Sequence, residues 1–377
     1  MYANYRKYLQ SFLSGKEEAR PSMVEDLQSP DKCDMPVIQQ KEGIDFTSDN
    51  FFGVDEAFMD EVRKSMESYA YGDNVNIQQM LEYKISRFFK TENTLLLPPG
   101  FNASQDLYDT LFTDDDAIFY DNKNSAPICT AISGCKAKKY SYESCDMTDF
   151  NNKISKSKEH RFNVVVTDGV FSIDGNTALL RDIVSKTFYN NAMVMVDETY
   201  SMGVVGEHGW GVTELHGVLG DVEIITGRLG RAFYGDNGGF ITGRWEIIEY
   251  LRQKIDDKKY LTKISVPVAI SEIKMLDRLM VTNDVQDCVH SNVEYFISRM
   301  VNLGFNISHT RSAICSIVME DDMAAEAIRR MEEERIYATL YSYPDAPKDR
   351  SRIRFKMASR HTREHLNKAI ELLSKIR

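Results

Sequence analysis

Nowhere in the sequence do about 18 consecutive apolar residues occur, the length a helix needs to cross a bilayer. Residues 1–20 (MYANYRKYLQSFLSGKEEAR) also lack the unbroken hydrophobic stretch of a signal peptide. These absences predict a soluble, cytoplasmic chain. Cysteine and histidine are scarce, 6 and 7 among 377 residues. Cys33, Cys129, Cys135, Cys145, Cys288 and Cys315 form no C-x-x-C pair and no histidine stands at zinc-site spacing, which predicts reduced thiols and no metal centre. Basic residues are in deficit, 46 Lys and Arg against 57 Asp and Glu, for a net charge of −11 and a pI near 5.3. Phosphate neutralisation needs concentrated positive charge, so the balance argues against a nucleic-acid partner. Neither an internal repeat nor a low-complexity tract is present.

What is there describes a globular protein. Hydrophobic residues make up 42% and charged residues 27%, a composition that folds. The length suits a large domain joined to a smaller one. Residues 1–50 are polar and irregular and read as a leading arm. Helical spacing of apolar residues predicts helices over 60–69 and 79–89, and Thr94-Leu95-Leu96-Leu97 reads as a strand. Short β-branched runs follow at 117–120, 138–142, 163–166, 193–196 and 222–226, separated by helix-length segments. That alternation predicts an α/β fold with a mostly parallel sheet covered on both faces, whose ligands sit at the strands' carboxyl ends. Polar residues stand directly after these strands, among them Asp121, Asp168, Asp197 and Arg228. Beyond Pro267, helices over 268–280, 292–303 and 363–376 surround further strands, one ending at Ile353-Arg354-Phe355. This divides the chain into an arm (1–50), a large domain (51–265) and a small C-terminal α/β domain (266–377).

An acid after a strand is most often a helix cap or loop acid, but Asp197 stands in distinctive company. Residues 166–175 (VTDGVFSIDG), 197–211 (DETYSMGVVGEHGWG) and 227–240 (GRLGRAFYGDNGGF) together resemble the α-oxoamine synthases. These are pyridoxal-phosphate (PLP) transferases of fold type I, the aspartate aminotransferase-like fold. Their motifs read approximately E-G-V-F-S-M-D-G, D-E-A-H-S-x-G-V-x-G-x-x-G-x-G and G-T-x-S-K-A-x-G-x-x-G-G. The resemblance implies that Asp197 would face the pyridine nitrogen of PLP and keep it protonated. It places Gly100, Phe101, Ser125 and Tyr200 around the cofactor and Arg354, in Arg352-Ile353-Arg354, at the substrate carboxylate.

The departures from the pattern bear on chemistry. Arg231 stands where the family has its Schiff-base lysine, and no lysine occurs between Lys186 and Lys254. A guanidinium stays protonated and offers no amine to an aldehyde. Ser125 replaces the ring-stacking histidine and has no π-face. Tyr200 replaces a second histidine, and Gln78 a third within a Gly-rich segment that has lost its glycines and arginine. These losses predict a pseudoenzyme with no catalytic residue of its own, in which Arg354 persists for packing or a salt bridge.

Within the family, Gly206-Glu207-His208-Gly209-Trp210-Gly211-Val212-Thr213-Glu214 is similar to G-E-H-G-R-G-V-T-E of the lysine-less subunit of serine palmitoyltransferase. That resemblance implies a heterodimer with a lysine-bearing catalytic homologue that holds PLP. Serine and an acyl-CoA would meet at the shared site, and the partner would carry the complex to the endoplasmic reticulum membrane. Lys263, in Lys263-Ile264-Ser265-Val266-Pro267, occupies a segment that crosses to the partner's cofactor phosphate. It is a phosphate contact on that reading and a solvated lysine otherwise. An active homodimer and a stand-alone binding protein are the alternatives.

Overall fold

The computed structural model describes residues 43–67, 74–97, 105–229, 238–257, 264–308 and 310–376. The described chain opens with β1 (Ile44–Asp45), followed by helices Glu56–Glu67 and Asn74–Phe89. Seven strands then build the central sheet: β2 (Asn93–Leu97), β3 (Ala117–Asp121), β4 (Lys138–Tyr142), β5 (Asn163–Asp168), β6 (Met193–Asp197), β7 (Ile224–Arg228) and β8 (Gly239–Gly243). Their spatial order is β2-β8-β7-β6-β5-β3-β4. β3 to β7 pair in parallel, and β8 runs antiparallel to both β7 and β2.

Hydrophobic runs explain the centre of this sheet. β5 (NVVVTD) and β6 (MVMVD) are buried at every position because apolar side chains cover both faces. Val164, Val166, Met193 and Met195 join Ile128, Ile132 and Ile248 on one side, whereas Val165, Val194 and Val196 join Phe150 and Ile183 on the other. Each such valine contributes about 1.5–3 kcal/mol on burial. β4 (KKYSY) closes one edge with Lys138 and Lys139 exposed, charges that discourage a further strand.

The strands expected at 117–120, 138–142, 163–166 and 193–196 are β3 to β6, while the run at 222–226 is displaced to Ile224–Arg228. β8 has no counterpart in the sequence reading. Gly-Phe-Ile-Thr-Gly sets two apolar residues between glycines, too few for a strand pattern. The helix expected from residue 79 begins at Asn74, and the one expected at 60–69 is Glu56–Glu67.

The C-terminal unit contains β9 (Asn306–Ile307), β10 (Ile314–Met319), β11 (Ile336–Tyr337), β12 (Thr339–Tyr341) and β13 (Ser351–Lys356). An antiparallel sheet of order β12-β13-β10-β9 packs with helices Asp284–Asn302, Asp321–Glu333 and Arg363–Ser374. β1 pairs in parallel with β11, and the Lys356 N–H donates to Phe46 O at 2.8 Å. Residues 44–46, read as part of a leading arm, therefore join the small unit. Helix Val266–Val281, at the head of the C-terminal division, packs against helices Glu56–Glu67 and Asn74–Phe89.

Candidate functional site

A cleft of about 530 Å³ lies at the carboxyl ends of β3, β5, β6 and β7. The large unit lines it with residues 122–128, 171–174, Asp197, Thr199, Tyr200 and Arg228. The small unit closes it with Tyr341, residues 345–347, Arg352 and Arg354. Parallel strands leave their terminal side chains at this rim, which brings residues far apart in sequence to one place.

Asp197, the last residue of β6, lies in the floor. Its Oδ2 accepts from Thr226 Oγ1 at 2.7 Å and its Oδ1 from Thr199 N at 3.0 Å. Asp168 ends β5 in register with Asp197. Asp168 Oδ2 accepts from Ser125 N at 2.6 Å, and its Oδ1 is buried with no hydrogen-bond partner. Burial, and then the neighbouring charge of Asp197, push the Asp168 carboxyl well above the usual range. Asn124 fastens the loop above it, donating to Val166 O at 3.0 Å and accepting from Asp168 N at 2.8 Å. Ser125 follows as the residue preceding helix Ala126–Gly134, and its hydroxyl makes no cap bond. Tyr200 is half-buried at the cleft wall, with Lys356 Nζ 5.7 Å from its ring centroid.

Two arginines project from β13. Arg354 is 7% exposed, donates from Nη1 to Ser172 O at 2.7 Å and lies 4.8 Å over the Tyr341 ring. Its Nε is buried without a partner, and no carboxylate among the described residues forms an ion pair with it. Arg354 is thus held by a carbonyl and packed on an aromatic face; of the two residual roles expected, packing or a salt bridge, the described contacts are of the packing kind. Arg352 Nε donates to Asp174 Oδ1 at 2.9 Å, and Lys123 Nζ to Asp174 Oδ2 at 3.0 Å. Burial raises the Asp174 carboxyl, but the bonds from Arg352 and Lys123 outweigh it and hold the group below its ordinary value.

Glu198, beside Asp197, points away from the cleft into the backbone. It accepts from Val212 N at 3.0 Å and Thr213 N at 2.9 Å, and from Ser201 Oγ. A Cβ on Gly211 would sit 2.5 Å from this carboxyl group, and Gly211 has φ +94°, so glycine is required there. In the same loop Trp210 stacks on His208 (4.4 Å between centroids, 13° between planes), with Lys90 Nζ 3.5 Å from the Trp210 ring centroid. These contacts give the G-E-H-G-W-G segment a structural role.

The structure thus brings Asp197, Tyr200, Ser125 and Arg354 to one cleft. Gly100, Phe101, Arg231 and Lys263 lie outside the described residues. Gln78 donates to Ile264 O at 2.5 Å, a structural tie where the family has a histidine. Lys123, Asp174 and Arg352 were not assigned to the site from sequence, although Asp174 and Arg352 stand in motifs that the resemblance singled out. Among the described residues no three His, Cys, Asp or Glu side chains cluster as metal ligands, and no helix is long and apolar enough to cross a membrane.

The side chains present do not fit a covalently held PLP. The one lysine among the described residues that line the cleft is Lys123, whose ammonium is engaged by Asp174. Ser125 and Thr199 line the cleft, and the Thr199 Oγ1 is buried and unpartnered. An acceptor for a ring nitrogen stands at Asp197, and no free attachment amine lines the cleft among the described residues.

A seven-stranded sheet with one reversed strand, bearing a cleft at the strand ends under a C-terminal unit, defines a PLP fold-type I transferase architecture. The family model for aminotransferase class I and II matches residues 45–373. The chain is 31% identical over 361 residues to 2-amino-3-ketobutyrate coenzyme A ligase of Escherichia coli K12, covering 92% of this chain and 91% of that protein. It is 30% identical over 372 residues to 8-amino-7-oxononanoate synthase of Thermosipho melanesiensis, covering 96% and 95%. In fold it matches serine palmitoyltransferase of Sphingomonas wittichii with a TM-score of 0.79 at 21% identity, over 87% of this chain and 86% of that one. The chain belongs to the aminotransferase class I and II family and, within it, to the PLP-dependent α-oxoamine synthases.

Proposed function

We propose that the chain is the non-catalytic subunit of a two-chain α-oxoamine synthase of the serine palmitoyltransferase type. A lysine-bearing homologue supplies the aldimine lysine and most of the PLP contacts, and this chain stabilises it and completes the shared site. The complex would condense serine with palmitoyl-CoA, releasing coenzyme A and carbon dioxide and giving 3-ketodihydrosphingosine. One observation carries the reading: in the cleft with Asp197 in its floor, the one lysine among the described lining residues, Lys123, is held by Asp174, and the sequence has no lysine between residues 186 and 254. The G-E-H-G-W-G-V-T-E match directs the choice of subunit. Assembly on the endoplasmic reticulum membrane, through the partner, belongs to the same proposal.

The test is purification of the native protein and identification of any chain bound to it. Recovery of a lysine-bearing homologue in a one-to-one complex supports the proposal, and a stable, monodisperse chain with no homologous partner refutes it. A second reading, an active homodimeric synthase, is favoured by identity to 2-amino-3-ketobutyrate coenzyme A ligase over 92% of the chain. It requires that the isolated chain form acyl-CoA condensation products on its own.

A further inference from the structure

Ser172-Ile173-Asp174-Gly175, in the loop that follows β5, is gripped along its whole length. Every one of its four residues is bonded to the small unit. Ser172 O accepts from Arg354 Nη1 at 2.7 Å, and Ile173 O accepts from Ser316 Oγ on β10. Asp174 Oδ1 accepts from Arg352 Nε at 2.9 Å. Gly175 O accepts from Thr310 Oγ1 at 2.5 Å and from Ser312 Oγ at 3.0 Å. A Cβ on Gly175, which has φ +74°, would lie 2.1 Å from Ile314 O, so glycine is what allows the two units to approach this closely.

Asp174 does more than dock. Its second oxygen accepts from Lys123 Nζ at 3.0 Å, and Lys123 belongs to the loop whose following residues, Asn124 and Ser125, are fastened to the ends of β5. A single carboxylate therefore joins β13 of the small unit to the loop that borders the cleft. The Asp174 and Arg352 side chains are only 15% and 12% exposed, where a charge-assisted bond is screened far less than on the open surface.

We propose that Ser172–Gly175 is the interlock that holds the small unit over the cleft, with Asp174 as the positioning residue that closes it by bridging Arg352 and Lys123. The rest of the grip is made by backbone carbonyls, which substitution does not remove, so loss of the bridge loosens closure and leaves each unit folded. Closure governs how the cleft is presented whether this chain or a partner supplies the chemistry, so the inference does not depend on the functional proposal.

The test is hydrogen–deuterium exchange on the full chain carrying Asp174→Asn, with Asp174→Glu and Lys123→Met beside it. Asp174→Asn is expected to speed exchange about ten-fold in residues 121–128 and 341–356, the scale of one charge-assisted hydrogen bond, and to leave β5 and β6 unchanged. Lys123→Met is expected to act in the same direction, chiefly on 121–128, and Asp174→Glu to restore much of the protection. Unchanged exchange in both peptide regions overturns the proposal. A uniform rise across the chain in Asp174→Asn shows loss of fold, not of closure; Lys123→Met, whose side chain is 53% exposed, then decides, and no effect there overturns the proposal.

Discussion

Asp168 and Asp197 end neighbouring strands in register, and only Asp197 has both carboxylate oxygens hydrogen-bonded in the described contacts. Two buried acids this close do not both ionise readily, and burial assigns the proton to Asp168. With its folded pKa raised above the usual ~3.9, the native state holds the extra proton, so stability falls as pH rises through the window between them. Asp168→Asn removes that dependence while keeping an acceptor for the Ser125 N–H. In urea melts the variant is expected to match the native chain near about pH 4 and to exceed its midpoint near about pH 8. A variant weaker at the higher pH would show that Asp168 works as an anion. The lysine position gives a second residue-scale prediction. Arg231→Lys is expected to leave the isolated chain without synthase activity, because Ser125 still lacks a ring face and groups that act as one catalytic unit do not restore function singly. After incubation with PLP and borohydride, peptide mapping of the native chain should find no pyridoxyl-lysine in the folded cleft. A labelled lysine would end the non-catalytic reading.

At the scale of elements, β1 depends on an uncharged histidine. His361 Nδ1 accepts from Ala358 N at 3.0 Å, and its Nε2–H donates to Asp45 O at 3.0 Å, which leaves no room for a second ring proton. Burial lowers its pKa from 6.5 to about 4. A base with a depressed folded pKa contributes stability that is present above its unfolded value and is lost as pH falls through the window from 6.5 to about 4. Protonation breaks the Ala358 bond, so His361→Gln is expected to cost about 1–3 kcal/mol near neutrality and to flatten the acid-side loss, both read from urea midpoints. A full acid dependence in that variant would move the titration to another group. β1 was hidden in the sequence because two residues carry no period, and its pairing with β11 joins positions nearly three hundred residues apart. β5 and β6 were legible because both of their faces are buried and the code is a continuous apolar run. Helix Asp284–Asn302 was read only from 292, since its first turns expose Asp284, Asp287 and Cys288 and interrupt the apolar period. The same contrast governs the cleft. Asp197, Ser125, Tyr200 and Arg354 were found through motif position. The bridge from Asp174 to Lys123 and Arg352 spans 51 and 178 residues of sequence, a contact that only the tertiary fold creates.

For the whole molecule, the proposed partner needs a face to bind, and three packed helices offer one. Helices Glu56–Glu67, Asn74–Phe89 and Val266–Val281 bury Phe58, Val62, Leu81, Ile85, Ile273 and Leu276 in the main core. They also leave Met66, Met80, Tyr83, Met280 and Val281 exposed, with Tyr83 at 64% and Val281 at 81%. Met80 and Tyr83 are three residues apart and so share one helix face. Large apolar side chains exposed side by side on a helix face suit a surface that a partner covers. A pseudo-two-fold heterodimer reuses on each chain the patch that a homodimer would use, so the face should be conspicuous on this chain even with its chemistry gone. Expressed alone, the chain is expected to be poorly soluble or to form a weak homodimer. The double change Met80→Asp and Tyr83→Asp should improve solubility, leave the circular dichroism spectrum and melting temperature near those of the native chain, and weaken association with the lysine-bearing homologue by about 2–4 kcal/mol, roughly 30- to 1000-fold in Kd. Sedimentation of the mixed chains reads this directly. Native-like association by the double variant would remove this face from the interface, and failure of the unaltered chains to associate at all would remove the subunit reading itself.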